Sequence, residues 1–306
     1  MSVEPARPAR AGARRVAGFV IGTALLLAAG WAVWRGGGSI RVAWAAASSR
    51  PALIPLAIML PLANWVVVSL SFWVLMRRHG RVGAGEMTLL IGAAWLLNYL
   101  PLRAGMVGRV AYHKAVNRIA VGDSVRVMVI NLACGAAATG LTLGLAVVLA
   151  RASASAWVWG VALGAPAAGL VAWGAAGGWR GWLPSVLLLR YADVLIWVAR
   201  YWVVFRLTGT PIDLPAAAAV TAACQVALAV PIVGNGLGVR EWAVGLTAAA
   251  LPAALVVSPM TTTQGLTADL ANRAAELVVA LPVGIVSAVL LARRRGLQAA
   301  GAGVAK

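Results

Sequence analysis

The stretch ALIPLAIMLPLANWVVVSLSFWVLM, residues 52–76, carries Pro55, Pro61 and Asn64 within it and ends on Arg77, Arg78, His79 and Arg81. About 20 apolar residues cross a hydrocarbon core roughly 30 Å thick, so a run of this kind reads as a membrane helix. Its basic end fits a return to the cytoplasm. Further apolar runs occupy 16–34, 84–102, 127–150, 156–176, 184–207, 214–233 and 266–292, with a shorter one at 242–257. Of the 306 residues 62% are hydrophobic and 11% charged, against about 25% charged in a soluble domain, and the mean hydropathy is +0.88. The expected architecture is all-α: a polytopic membrane helical bundle with seven or eight transmembrane helices plus one or two re-entrant segments. It forms one integral membrane domain over 1–306, with a basic cytoplasmic tail at 1–15 and a short tail at 296–306.

The amino-terminal tail holds Arg7, Arg10, Arg14 and Arg15. A signal peptide has an h-region of about 7–15 residues. The run from Val16 to Trp34 is longer than that, and it reads as the first transmembrane helix with the amino terminus inside. The last run ends in Arg293, Arg294 and Arg295, which places the carboxyl terminus inside as well. Tryptophans such as Trp31, Trp34, Trp157 and Trp159 cluster near run ends, as an aromatic belt does. The net charge of +18 lies at span ends and in short loops, so anionic lipid is the expected partner and nucleic acid is not. Cys134 and Cys224 fall inside apolar runs and read as small buried hydrophobes. His79 and His113 have no metal-ligand spacing around them, so no metal and no cofactor is expected. Abundant alanine, glycine and arginine with scarce lysine points to a bacterial cytoplasmic membrane.

The run at 84–102 is less clean, with Glu86, Asn98 and Pro101, and it leads into a second basic stretch holding Arg103, Arg109, Lys114 and Arg118. A full crossing would put two adjacent basic clusters on opposite sides. A segment that enters and turns back keeps both in the cytoplasm, which is the economical reading.

Two glycine-rich joints interrupt the apolar pattern. NYLPLRAGMVGR, residues 98–109, passes through Pro101 to Gly105, Gly108 and Arg109. VPIVGNGLGVRE, residues 230–241, passes through Pro231 to Gly234, Gly236, Gly238 and Arg240. In both a glycine stands seven residues after the proline, and the two prolines are 130 residues apart. Broken helix at membrane depth survives only where it is buried or lines a cavity. Paired interruptions in corresponding halves point to a transporter binding site and to inverted-repeat halves. Helix starts attract anions, and Arg103, Arg109 and Arg240 add guanidinium groups suited to phosphate. The joints are therefore expected to form one site for a lipid phosphate headgroup. Plainer readings remain open: Arg103 and Arg109 as positive-inside anchors, and the glycines as close-packing positions.

Ionisable residues inside membrane segments default to functional candidates. Asp269, Arg273 and Glu276 stand four and three residues apart on one helix face, where the central arginine can neutralise either acid. They read either as a self-compensating structural cluster or as a coupling site for a proton or cation. Arg190 and Asp193 can pair at a step of three, whereas Arg200 has no local partner and is left to lipid or to an acid on another helix. Glu241, directly after Arg240, is a candidate for a cationic headgroup, a proton, or a neighbouring arginine.

At these residues the chain resembles a known family. NYLPLRAGMVGRVAYHK, from Asn98, and GNGLGVREWAVGL, from Gly234, are similar to the two hallmark stretches of the lysylphosphatidylglycerol synthase transmembrane-region family of flippase-like membrane proteins. The resemblance spans about Ala52 to Ala292 and is more specific at the second stretch. It implies a helical domain that flips lipids. The family's Asn-x-x-Pro element would fall on Asn98 and Pro101, its Arg and Gly on Arg103 and Gly105, its next Arg on Arg109 and its aromatic on Tyr112. Its second motif would fall on Gly236, Gly238, Arg240 and Glu241. Many members carry an acid where this chain has Met106, which leaves any role of that acid without a residue here. Eleven residues follow Arg295, so the soluble aminoacyl-transferase domain of full synthases, and with it aminoacyl transfer, is not expected. The implied activity is translocation of an anionic phospholipid or a polyprenyl-linked glycolipid. The rivals are a membrane enzyme using Glu241 or Asp269 as base, and a scaffold for cell-envelope synthesis proteins.

Overall fold

The computed structural model describes residues 8–36, 38–100, 104–152, 155–177, 181–229, 234–252 and 259–304. Among them lie eleven α-helices and no strand: α1 (Pro8–Arg35), α2 (Gly38–Ser49), α3 (Leu53–Met76), α4 (Ala84–Leu97), α5 (Ala104–Ala115), α6 (Val121–Arg151), α7 (Ala156–Ala175), α8 (Trp182–Leu207), α9 (Leu214–Ala229), α10 (Val239–Ala249) and α11 (Thr262–Val304). Helix is the form that satisfies its own backbone in lipid. The side chains are distributed as a bilayer demands. Val129, Leu132, Val148 and Val161 are exposed, while Asp193, Arg200, Arg240 and Glu241 are buried. The protein is an integral membrane helical bundle.

Among the described residues six helices, against the seven or eight crossings expected, are long and apolar enough to cross a membrane: α1, α3, α6, α7, α8 and α11. Over the described residues the apolar runs at 84–102 and 214–233 yield shorter helices, ending at Leu97 and Ala229; 101–103 and 230–233 lie outside the described residues. α4 has 14 residues and α9 has 16, which at 1.5 Å per residue is about 21 and 24 Å, short of a core of roughly 30 Å. α10 is shorter still, ending at Ala249, so the apolar run at 242–257 is not a continuous crossing helix; 253–258 lie outside the described residues. Helix α2 is unexpected: it falls between the apolar runs and exposes Trp44.

The element order repeats. A long helix, two short ones and another long one occur as α3–α4–α5–α6 and again as α8–α9–α10–α11, with α7 between them. The packing repeats too. α3 lies against α8, its counterpart; α4 packs on α11 while α9 packs on α6; and α4 folds against α5 as α9 folds against α10. Each half thus contributes a helix–break–helix hairpin held by the other half's last long helix.

The hairpins meet at their tips. A Cβ on Gly234 would stand 2.8 Å from the Leu100 carbonyl oxygen and 3.0 Å from that of Asn98. Only a residue without a side chain lets the second joint rest on the backbone of the first. At Gly238, φ is +75° and a Cβ would collide with the Gly22 carbonyl and with Leu25 of α1. The left-handed backbone and the close approach both demand glycine there.

Candidate functional site

The site grows from three helix faces. On α8, Arg190, Asp193, Trp197 and Arg200 recur at steps of three, four and three, so they share a face. On α11, Asp269, Asn272, Arg273 and Glu276 stand at steps of three, one and three and crowd one side of the helix. α10 begins with Arg240 and Glu241, fully buried, where the glycine break ends.

Buried charges are tolerable when paired and hydrogen-bonded, and these pair with one another across helices, with Arg240 Nη2, Glu241 Oε2 and Arg273 Nη1 left without a partner. Arg240 donates from Nε to Asp269 at 3.0 Å and from a terminal nitrogen to Glu276 at 2.9 Å. Arg200 donates to Glu276 at 3.0 Å and to Asn272 and Asn64 at 3.1 Å each. Arg273 donates to Glu241. Arg190 donates to Asp193 at 2.7 Å, and Asp193 also accepts from Asn64 at 2.7 Å. The Tyr201 hydroxyl donates to Asp269 at 2.8 Å.

This corrects one expectation. Arg273 does not neutralise Asp269 or Glu276 on its own helix. Arg240 reaches both acids from α10, offering Nε to Asp269 and a terminal nitrogen to Glu276, while Arg273 turns to Glu241. One guanidinium thus meets two carboxylates at once through charge-assisted hydrogen bonds. Arg200 finds its acid on another helix, and Arg190 pairs with Asp193 at the step of three.

Glu276 is the centre of the network. Besides two arginines it accepts from the Tyr99 hydroxyl at 2.9 Å, the Trp95 indole at 3.1 Å and the Asn235 amide at 3.4 Å. A carboxylate has about four lone-pair sites, and five donors from both hairpins and α8 surround this one.

In front of the network lies a cavity of about 240 Å³, bounded by α3, α4, α5, α8, α9 and α11. Asn98, Arg109, Arg190, Arg200, Gln225 and Glu276 supply its polar wall, and Trp65, Trp95 and Trp197 much of its apolar wall. Arg109, on α5, differs from the other arginines here. Its guanidinium stacks 4.4 Å from the Phe72 ring centre, its Nε lacks a hydrogen-bond partner, and among the described residues no carboxylate lies within ion-pair distance of it.

The expected site residues divide accordingly. Asn98 and Arg109 line the cavity. Gly105 is buried where a Cβ would strike the Ala94 carbonyl and stand 2.6 Å from Asn98 Oδ1, so it seats α5 against α4 and leaves the amide room. Gly234, Gly236 and Gly238 shape the second joint rather than contact the cavity. Arg240 and Glu241, expected to meet the headgroup, are instead consumed by ion pairs behind the cavity wall. Tyr112 is buried in an apolar cluster with Leu90, Ala93 and Leu291, and Lys114 is exposed; neither lines the cavity. Pro101, Arg103 and Pro231 lie outside the described residues. Asp193, Arg200 and Glu276 belong to both wall and network, while Asp269 and Arg273 stand behind. Sequence reasoning missed Trp95, Tyr99, Gln225, Asn235 and Asn272 as polar partners. Asn64, an amide inside an apolar run, was the visible signal, since such a group requires partners at membrane depth.

No family model, no curated protein and no solved structure matches this chain.

Proposed function

We propose that this protein translocates a lipid with an anionic headgroup between leaflets, an anionic phospholipid or a polyprenyl-linked glycolipid, in a bacterial cytoplasmic membrane. The observation that carries the reading is Arg109: a guanidinium without a carboxylate partner among the described residues, on the wall of a cavity beside which two helix–break–helix hairpins meet. The other arginines of the wall are matched by acids, so this one leaves a positive charge for an incoming phosphate. The resemblance to flippase-like proteins of the lysylphosphatidylglycerol synthase transmembrane region agrees with it.

In this reading six crossings, an even number, leave both termini on one side, and the arginines ahead of the first crossing and at 293–295 make that side the cytoplasm. α3 and α8 then run in opposite directions. The α4–α5 hairpin enters from the cytoplasm and the α9–α10 hairpin from the other side, with the cavity between them near the bilayer midplane. Rocking of one hairpin against the other exposes the cavity alternately while the lipid tails remain outside the bundle.

The test is headgroup translocation in proteoliposomes with fluorescent phosphatidylglycerol and a polyprenyl-phosphate sugar, comparing wild type with Arg109→Gln. Protein-dependent flipping of either lipid, abolished in the folded variant, is the expected result. Flipping that survives the substitution removes Arg109 from the mechanism, and no flipping of either lipid removes the transport reading.

A further inference from the structure

The hydrogen-bonding groups left over in the cavity say more about its ligand than its charge does. Five ionised side chains line it: Arg109, Arg190, Arg200, Asp193 and Glu276, a surplus of one positive charge. Both acids are already committed. Asp193 receives Arg190 and Asn64, and Glu276 receives five donors. A ligand ammonium would find no available carboxylate and would face the repulsion of Arg109. Behind the wall Arg240 and Arg273 balance Asp269 and Glu241, so nothing deeper reverses the sign.

Among the described residues that line the cavity, four buried polar atoms lack a partner: Nε of Arg109, Nε of Arg190, Nε2 of Gln225 and Oδ1 of Asn98. A buried polar group left unpaired is costly, and each such group is matched in a fitting complex. Three of the four are donors and call for the acceptor oxygens of a phosphodiester. The fourth, Asn98 Oδ1, is an acceptor, and phosphodiester oxygens carry no proton to give it. A hydroxyl does, and its oxygen can accept in turn from an amide such as Gln225.

We propose, resting on the translocation reading above, that the cavity selects headgroups in which an anionic phosphodiester carries a hydroxylated substituent, a polyol phosphate, and rejects headgroups bearing an ammonium. Arg109 and Arg190 hold the phosphate, and Asn98 with Gln225 reads the hydroxyls. Aminoacylated or ethanolamine headgroups are excluded on charge. Methyl phosphodiesters are accepted on charge and discriminated against at Asn98.

The shared chemistry has two sources, glycerol on a phospholipid and a sugar on a polyprenyl phosphate, and short-chain probes separate them. Binding of dihexanoyl phosphatidylglycerol, citronellyl phosphoglucose, dihexanoyl phosphatidylmethanol and dihexanoyl phosphatidylethanolamine is measured by calorimetry on the full chain in phosphatidylcholine nanodiscs. At least one polyol lipid is expected to bind about tenfold more tightly than phosphatidylmethanol, the worth of one well-made buried hydrogen bond, and phosphatidylethanolamine more weakly than all three. Whichever polyol lipid leads identifies the source. Asn98→Leu brings the polyol-to-methyl ratio to within about twofold, the residue of preference left by Gln225. Asn98→Ser, which restores a small acceptor, keeps the preference and controls for folding. Phosphatidylmethanol binding as tightly as both polyol lipids, a ratio unmoved by Asn98→Leu, or phosphatidylethanolamine matching the anions overturns this inference alone. Arg109→Gln weakens every anionic lipid; anionic binding that is absent, or indifferent to Arg109, overturns the translocation reading and this inference with it.

Discussion

The two joints begin from nearly the same sequence and end in different states. Each has a proline, a glycine seven residues later and an arginine close behind. At the second joint the arginine, Arg240, is fully buried and held by Asp269 and Glu276, and two successive glycines, Gly236 and Gly238, are left-handed. At the first, Arg109 looks into the cavity without a carboxylate, and Gly108 has open space where a Cβ would go. The cause lies in what each hairpin packs against. α10 lies on the acidic face of α11, whereas α5 meets α4 and α6, and neither turns an acid towards Arg109. One joint ties its arginine into the core, and the other leaves its arginine without a carboxylate among the described residues.

Substitutions can break that division. The largest effect is expected at Arg240→Gln, which leaves Asp269 without an arginine and Glu276 with Arg200 alone. Breaking a buried pair from one side costs about 3–5 kcal/mol, seen as a large fall in the unfolding temperature in detergent. If Arg240→Gln proves as stable as wild type, the second joint is not the structural one. Next comes Gly238→Ala, where left-handed backbone and overpacking against α1 together cost on the order of 3 kcal/mol. Gly108→Ala should shift the same melt hardly at all. A double-mutant cycle on Glu241→Gln and Arg273→Gln is expected to give a coupling energy of about 1–3 kcal/mol, and additivity would mean that the pair does not form in the bilayer. Among the charged positions the smallest change in stability belongs to Arg109→Gln, about 1 kcal/mol or less from the lost contact with Phe72, although that variant should lose headgroup binding. A destabilisation comparable to that of Arg240→Gln would make the two joints equivalent after all.

Much of the fold is readable from the chain because membrane helices announce themselves locally: 20 or so apolar residues suffice, and basic stops such as Arg77–Arg78 mark their ends. The joints are readable because proline and glycine act on the backbone wherever they stand. What escapes is partner choice. Asp269, Arg273 and Glu276 suggest pairing along one helix, yet the partners are Arg240, Arg200 and Glu241, set by how helices cross rather than by spacing along one. Trp95 and Tyr99 escape for a similar reason: as aromatics in an apolar run they look like lipid-facing residues until Glu276 is found beside them.

The distribution of the network along the chain also constrains biosynthesis. Three of its eight charged groups, Asp269, Arg273 and Glu276, lie on α11, the last helix, and they hold the partners of Arg200, Arg240 and Glu241. While the chain emerges amino terminus first, those earlier residues enter the bilayer without counter-ions. Only the arrival of α11 converts them from a liability during insertion into a neutral core. Until then the half-made protein depends on the translocon or a membrane chaperone to keep its charges from bare lipid, and a chain stalled before residue 262 is a natural target for membrane quality control.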